Sequence, residues 1–423
     1  MRTSDFYRIP QGGFPITIGN DGNIYTPDTP IVPFIAGCGT ATKLFPIVQK
    51  VLDSAVQYAY RGKRKICWME VFAGQKAYTL LEEWLPQQTL DYIRSFHLCF
   101  KMPISTVKGT DFQTLEKTIR QELGLYASVY KIRYLKGMPS PVKRPELVDI
   151  VLFCENSEDI NAGLEWPAGS EESSRIIELL NDEIGCTISR DSGIGIKPIS
   201  VTASQKLIRK AIQYAYNHQR KAVTIVHKDD VMKFTEGAFR DWGYQLAKEE
   251  FPNIVITEKD VLLNHDGVLP DDKILLSDRI ADIVLQQILS HPEEYSVLAM
   301  LYLNGDYIYN VLTAQVGGTA MHHCSYYGDN CVFFDTIDDP LKKNAREDTI
   351  NPYPILLSGA EMLDFLGWRE ASACIIEALQ KTILEKKVTC GLGHLFENTV
   401  ILSCSEVCNA VIGNITNQQS KPL

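Results

Sequence analysis

Apolar residues follow two alternating rhythms along this chain. Short continuous apolar runs mark buried strands, and segments in which apolar residues return every three or four positions mark amphipathic helices. Ala222-Val223-Thr224-Ile225-Val226 reads as a buried strand that ends at His227-Lys228. Thr235 then predicts the cap of a helix carrying Phe239, Trp242 and Leu246 on one face. Ser277 predicts the cap of the next helix, with Ile280, Ile283, Val284 and Ile288 on its apolar side and Arg279, Asp282 and Gln286 opposite. A strand over Val297-Leu298-Ala299-Met300-Leu301 is expected to stop at Asn304-Gly305-Asp306. This alternation predicts an α/β fold. Sites in open α/β sheets gather at the carboxyl ends of strands. Lys228 and Asp306 fall at such ends, and Asp282 can project from the helix between them. From about Asn161 to Gly195 the rhythm breaks into a polar stretch with Gly163, Pro167, Gly169 and Gly185, which predicts an inserted subdomain.

Bulk properties narrow the class. With 423 residues, 45% of them hydrophobic, the chain can bury a large core, and more than one domain is expected. A net charge of -10 without a long basic run argues against a nucleic-acid partner. The absence of a long uninterrupted apolar stretch argues against a membrane partner. The opening Met1-Arg2-Thr3-Ser4-Asp5-Phe6 lacks the apolar core of a signal peptide, so a cytoplasmic location is expected. Eleven cysteines, an odd number without a C-x-x-C pair, read as free thiols in a reducing compartment.

Lysine with two carboxylates makes a workable metal-assisted acid–base site. Asp282 and Asp306 offer hard oxygen ligands to Mg²⁺ or Mn²⁺. Such an ion polarises a 2-hydroxy or 2-keto carboxylate while Lys228 moves a proton. Acidic residues in these places are also commonly solvated or capping groups, and the pattern alone leaves both readings open.

Longer motifs add to this. Met138-Pro139-Ser140-Pro141-Val142-Lys143-Arg144-Pro145-Glu146-Leu147 is followed by Glu155-Asn156-Ser157-Glu158-Asp159-Ile160 and Ala162-Gly163. Later come Gly193-Ile194-Gly195-Ile196-Lys197-Pro198, Val226-His227-Lys228 and Met232-Lys233-Phe234-Thr235-Glu236-Gly237. Leu303-Asn304-Gly305-Asp306-Tyr307 and Ala314-Gln315-Val316-Gly317-Gly318 complete the set. Together they closely resemble the isocitrate/isopropylmalate dehydrogenase family, in particular its bacterial-type NADP-dependent isocitrate dehydrogenases, from about Pro30 to Ile412. The resemblance implies that family's α/β fold. A large domain would span 1–124 and 318–423, a small domain 125–159 and 201–317, and an inserted clasp 160–200. It also implies a homodimer with interlocked clasps, in which one copy supplies Lys228 and Asp282 and the other Asp306.

By the same resemblance, Lys228 matches the catalytic lysine, and Asp282 and Asp306 match metal-binding aspartates. Arg120 matches an arginine that clamps a substrate carboxylate, and Lys101 a lysine near substrate and nicotinamide. Other positions depart from the pattern. Thr114 stands for a serine and Glu116 for an asparagine; Tyr130 and Cys154 stand for two further clamp arginines. Asn161 stands for a catalytic tyrosine and Asn310 for a third metal aspartate. The family's nucleotide loop, His-Gly-Thr-Ala-Pro-Lys, reads Asp338-Asp339-Pro340-Leu341-Lys342-Lys343, keeping only Lys343 as a cofactor-binding residue. Cys390 and His394 replace a tyrosine and an arginine that select the 2′-phosphate. The early Gly-Asp-Gly-Ile-Gly turn reads Gly37-Cys38-Gly39-Thr40-Ala41.

Counted as charges, these departures remove about three positive units from one pocket, each charge-assisted bond being worth roughly 1.5–3 kcal/mol. They point to a repurposed metal-dependent enzyme that decarboxylates or enolises a less charged 2-hydroxy or 2-keto carboxylic acid without NADP. A non-catalytic binding or regulatory homologue and an ordinary NADP-dependent isocitrate dehydrogenase are the alternatives. Met321-His322-His323-Cys324 replaces a small-residue loop of the family, which raises a second metal site, although adjacent loop histidines often simply face solvent. Cys154 is expected to be a buried inert thiol rather than a nucleophile.

Overall fold

The computed structural model describes residues 6–19, 24–37, 40–104, 113–336 and 350–417. The chain forms two compact units, one of residues 1–151 and 310–423, the other of residues 152–309. Both are α/β, as the alternating rhythm predicts. Among the described residues no helix is long and apolar enough to cross a membrane. The described cysteines are free thiols.

In the first unit the strands lie in the order Cys67–Glu70, Ile31–Ile35, Leu98–Lys101, Val332–Thr336, His323–Tyr327, Ala127–Arg133. The first four are parallel, and His323–Tyr327 runs antiparallel to both of its neighbours. Register decides what meets at the strand ends. Phe334 pairs with Phe100, so Asp335 comes beside Lys101 at the carboxyl end of both strands. Helix Tyr353–Phe365 is buried along nearly its whole length. It packs against helices Thr40–Tyr60 and Arg369–Leu384, and these two pack against Cys404–Thr416. The last of these helices opens with a reciprocal Ser403–Glu406 capping box.

In the second unit Val255–Thr257, Ile274–Ile280, Ala222–His227 and Val297–Met300 are parallel neighbours, followed by strand Asp149–Glu155, which belongs to this unit from Leu152 onward. Val223, Ile225 and Val226 are fully buried, which explains the unbroken apolar run. Lys228 follows the last residue of that strand. The polar stretch forms helix Glu171–Glu178 and an antiparallel pair, Leu164–Trp166 with Ile194–Ile196.

Three local expectations are corrected. Thr235 stands before helix Glu236–Glu250, but its side chain makes no cap hydrogen bond. Ser277 caps nothing: it lies inside strand Ile274–Ile280, where its hydroxyl meets that of Thr224 at 3.0 Å. Strand pairing overrides the capping propensity here, and the helix begins only at Ala281. Arg279 is therefore a strand residue, and it pairs with Glu258 at 2.6 Å. Asp306 is not at a strand end either. It lies in the first part of helix Tyr302–Val316, with Asn310 one turn further along.

Gly305 is required by packing: a Cβ there would sit 2.4 Å from Cys154 Sγ and 3.0 Å from its Cβ. Gly305→Ala is expected to destabilise the protein by about 1–3 kcal/mol through overpacking. Cys154→Ala, which removes the sulfur, should recover part of that loss. Urea unfolding of the single and double variants checks the coupling.

Candidate functional site

Each unit carries a cluster of the residues singled out by sequence. In the second unit, Lys228 Nζ lies 2.7 Å from Asp282 Oδ2 and 2.9 Å from Asp230 Oδ2. Hydrogen bonds to Asp230 and Asp282 raise the lysine pKa, and the lysine in turn lowers that of Asp282. Lys228 is thus held as an ammonium, a proton donor. Its backbone is pinned from behind, because its N–H donates to Glu236 Oε2 at 3.1 Å. Glu236 is 1% exposed and also accepts from Asn304 Nδ2 at 3.0 Å and from Lys197. Lys197 reaches Asp159 at 3.2 Å, and Asp159 accepts the Leu303 backbone N–H at 3.1 Å.

His227 is buried beside this cluster. Its Nδ1 accepts the Asp229 N–H at 3.3 Å, so its Nε2 donates to Asp278 Oδ2 at 3.0 Å. That bond, with a second from Tyr244 at 2.6 Å, lowers the Asp278 pKa despite partial burial.

Asn161 donates to the backbone oxygen of Asn156 at 2.7 Å. Cys154 is buried, and that burial pushes its thiol far above the usual range. Asp306 and Asn310 are exposed on their helix. Among the described residues no group of three His, Cys, Asp or Glu side chains comes together to hold a metal.

In the first unit, Lys101 is 2% exposed and sits 2.8 Å from Asp335 and 3.0 Å from Glu116. Burial opposes its charge, but the two carboxylates outweigh that and raise its pKa. Asp335 is pushed up to about 6, mainly by burial, with Lys101 pulling it back. The attraction of Lys101 lowers Glu116. Arg120, one turn after Glu116, lies over the Tyr326 ring at 5.2 Å and donates to its hydroxyl at 3.3 Å. Two cations thus face two carboxylates. Glu116, expected as a bare negative charge, is an ion-pair partner of Lys101. Tyr130 lies half-buried on strand Ala127–Arg133. The Thr114 side chain and the whole loop 338–343, with Lys343, lie outside the described residues, as do Cys38 and Gly39. Cys390 and His394 are exposed.

Sequence reasoning missed Asp335, Tyr326 and Asp230. Asp335 had a signal: it ends the apolar run Val332-Phe333-Phe334, where strand-end acids gather. Tyr326 had none, because its contact depends on antiparallel pairing with Ala127–Arg133.

The metal idea at His322-His323-Cys324 is corrected. His323 lies within a buried strand, its Nε2 2.9 Å from Glu361 Oε1 and its Nδ1 2.8 Å from the Met321 oxygen. Ser325 also donates to Glu361. Both ring nitrogens donate only in the imidazolium form. Burial works against that charge, but Glu361 outweighs it and raises the His323 pKa. Glu361 is lowered in spite of its burial, first by His323. A raised histidine stabilises fully below its unfolded value of about 6.5 and loses that contribution as pH rises. A lowered glutamate stabilises above about 4.3 and loses its contribution as pH falls. The pair therefore contributes most between those values. His323→Leu is expected to lose about 3–5 kcal/mol near pH 6. The gap to the natural protein should narrow as pH rises past about 6.5, read by urea unfolding from pH 5.5 to 8.5. A constant gap would show that His323 is uncharged.

Residues 31–411 match the family model of isocitrate/isopropylmalate dehydrogenases. The chain is 41% identical over 413 residues to "Isocitrate dehydrogenase [NADP]" of Pseudomonas aeruginosa, covering 96% of this chain and 99% of that one. It is 42% identical over 406 residues to the protein of the same name from Archaeoglobus fulgidus, covering 96% and 97%. A crystal structure of isocitrate dehydrogenase from Methylococcus capsulatus superposes with a TM-score of 0.70 at 25% identity, covering 91% of this chain and 99% of that one.

These matches overturn the reading of a repurposed, non-oxidative enzyme, and with it the non-catalytic alternative and the doubt over NADP. That reading counted substituted charges one at a time. Similarity to NADP-named dehydrogenases over nearly the full length favours the ordinary enzyme instead. The chain belongs to the isocitrate/isopropylmalate dehydrogenase family.

Proposed function

We propose that this protein is an NADP-dependent isocitrate dehydrogenase, carrying out the oxidative decarboxylation of isocitrate to 2-oxoglutarate with Mg²⁺ or Mn²⁺. The observation that supports this most directly is the Lys228–Asp282 pair at 2.7 Å, set at the carboxyl end of a parallel strand. Beside it stands the similarity to relatives named for that reaction.

Asp282 is an exposed hard oxygen donor of the kind Mg²⁺ and Mn²⁺ prefer, and Asp306 is another. The donor chemistry fits such an ion, with Asn310 as a neutral third oxygen. From the family resemblance, the reading includes a homodimer in which one copy supplies Lys228 and Asp282 and the other Asp306. Asp282 and Asp306 would hold the cation, which would supply polarisation of the substrate hydroxyl, and NADP would supply the hydride acceptor. The chain's own part is proton movement and binding. Lys228 Nζ, held protonated by Asp230 and Asp282, is the group that returns a proton, and it becomes a base once it has given that proton up. Asn161 cannot share this role, since an amide does not exchange protons near neutral pH. Lys101 and Arg120 are assigned to substrate carboxylates, with Thr114, Glu116, Tyr130 and Cys154 at the remaining substrate positions. Lys343 is assigned to the nucleotide. The large domain (1–124, 318–423), small domain (125–159, 201–317), clasp (160–200) and cytoplasmic location belong to the same proposal.

The test is isocitrate-dependent reduction of NADP, followed at 340 nm with Mn²⁺ present. Turnover is expected in the natural protein. Lys228→Met should lose at least about 100-fold in kcat, the scale of positioned acid–base catalysis, with melting temperature and dimer unchanged. Absence of turnover in the natural protein, or equal turnover in Lys228→Met, would overturn the assignment.

A further inference from the structure

Lys101 has more negative charge around it than it needs. A buried ammonium requires a carboxylate partner, and Asp335 supplies one. Asp335 is itself buried, is fixed on a strand beside Lys101, and has its Oδ1 held by the Thr336 N–H at 2.7 Å. Glu116 brings a second carboxylate to the same ammonium, and the two differ in setting. The Glu116 side chain is 47% exposed and stands on helix Gln113–Glu122, facing Arg120 one turn away. Asp335 is part of the fold, whereas Glu116 can swing toward Arg120 or solvent at little cost.

We propose that Glu116 is a built-in carboxylate ligand of Lys101, which a substrate carboxylate must displace in order to bind. This rests on the reading above that Lys101 and Arg120 receive carboxylates. It deepens that reading by making Glu116 the residue that sets how tightly they do so. Among the described residues of the resting protein, Lys101 and Arg120 are matched by Asp335 and Glu116, so these four present no spare positive charge. An incoming carboxylate takes the place of one of like charge and chemistry. Its net gain is then the difference between two similar ion pairs, rather than the full strength of one. Selectivity follows from this, since a monocarboxylate gains almost nothing by the exchange. A polycarboxylate that also engages Arg120 can offset it.

The experiment measures binding directly on the full chain. Calorimetric Kd values for tricarballylate, a tricarboxylate that cannot be oxidised, are compared among the natural protein, Glu116→Gln, Glu116→Asn and Glu122→Gln. Glu122 lies on the same helix, is exposed, and pairs with Arg94 at 3.6 Å, so its variant controls for a simple change in net charge. Both Glu116 variants are expected to bind at least about tenfold tighter, the equivalent of one charge-assisted hydrogen bond. Glu122→Gln should bind like the natural protein. Damage to the fold weakens binding, so a gain cannot come from that source. Equal or weaker binding in the Glu116 variants, or no binding in any protein, would overturn the proposal. So would unfolding of both Glu116 variants, which would show that Lys101 needs both carboxylates for stability. Tighter binding of tricarballylate by Glu116→Gln without isocitrate turnover in the natural protein would sustain this inference and sink only the proposed reaction.

Discussion

Glu236 is almost completely buried, and three donors from separate parts of the chain converge on it. The Lys228 backbone fixes the loop after strand Ala222–His227, and the Asn304 amide fixes the start of helix Tyr302–Val316. The Lys197 ammonium fixes the chain just after the inserted stretch. Lys197 then reaches Asp159, and Asp159 accepts the backbone N–H of Leu303. Removing one partner from a buried ion pair costs about 3–5 kcal/mol, because the other is left charged and dry. The five segments bearing these residues are therefore hard to move separately. The exposed pair of Lys228 and Asp282 gains its placement from this buried frame rather than from its own attraction, which solvent screens.

The first unit solves a similar problem differently. Its cations are the more enclosed ones: Lys101 is nearly inaccessible, and Arg120 is half-buried and rests on an aromatic face. Parallel register brings Asp335 to Lys101, and antiparallel register brings Tyr326 into reach of Arg120. A low-dielectric setting strengthens each pairing and makes each unpaired charge expensive. A side chain here is held wherever charge balance requires, and a substitution at one position changes the partners of its neighbours.

Much of the fold was legible in the chain. Val223, Ile225 and Val226 formed an unbroken apolar run because both faces of that strand are covered, and its end at His227-Lys228 was read correctly. Boundaries fared worse where two propensities competed. Ser277 has the chemistry of a cap, but its neighbours Leu275 and Leu276 pair in parallel with Ala222 and Val223 and carry it into the sheet. Asp306 was placed at a strand end because the helical periodicity of Tyr302–Val316 is weak, nearly every side of that helix carrying apolar residues. His322 and His323 were read as loop residues facing solvent or a metal. Both are buried: His323 pairs with Thr336 of the following strand, and Glu361, 38 positions on in helix Tyr353–Phe365, takes its Nε2.

The members of the two clusters could be picked out from the sequence, but their electrostatics could not. Lys228, Asp282, Lys101 and Arg120 could each be picked out by motif. What motif reading could not supply was the pairing: Asp335 lies 234 positions beyond Lys101 in the chain and yet neutralises it. Summing formal charges over substituted positions treats each as though it faced the ligand. Glu116 was counted in that way as a repulsive unit. In the fold it faces Lys101 first, and its effect on a ligand is competition for one ammonium rather than a long-range field. Competition has a bounded cost, because the displaced carboxylate recovers interaction with Arg120 or water. Repulsion from an uncompensated buried charge would have no such bound. A chain can therefore carry Glu116 and still belong with relatives that bind a tricarboxylate.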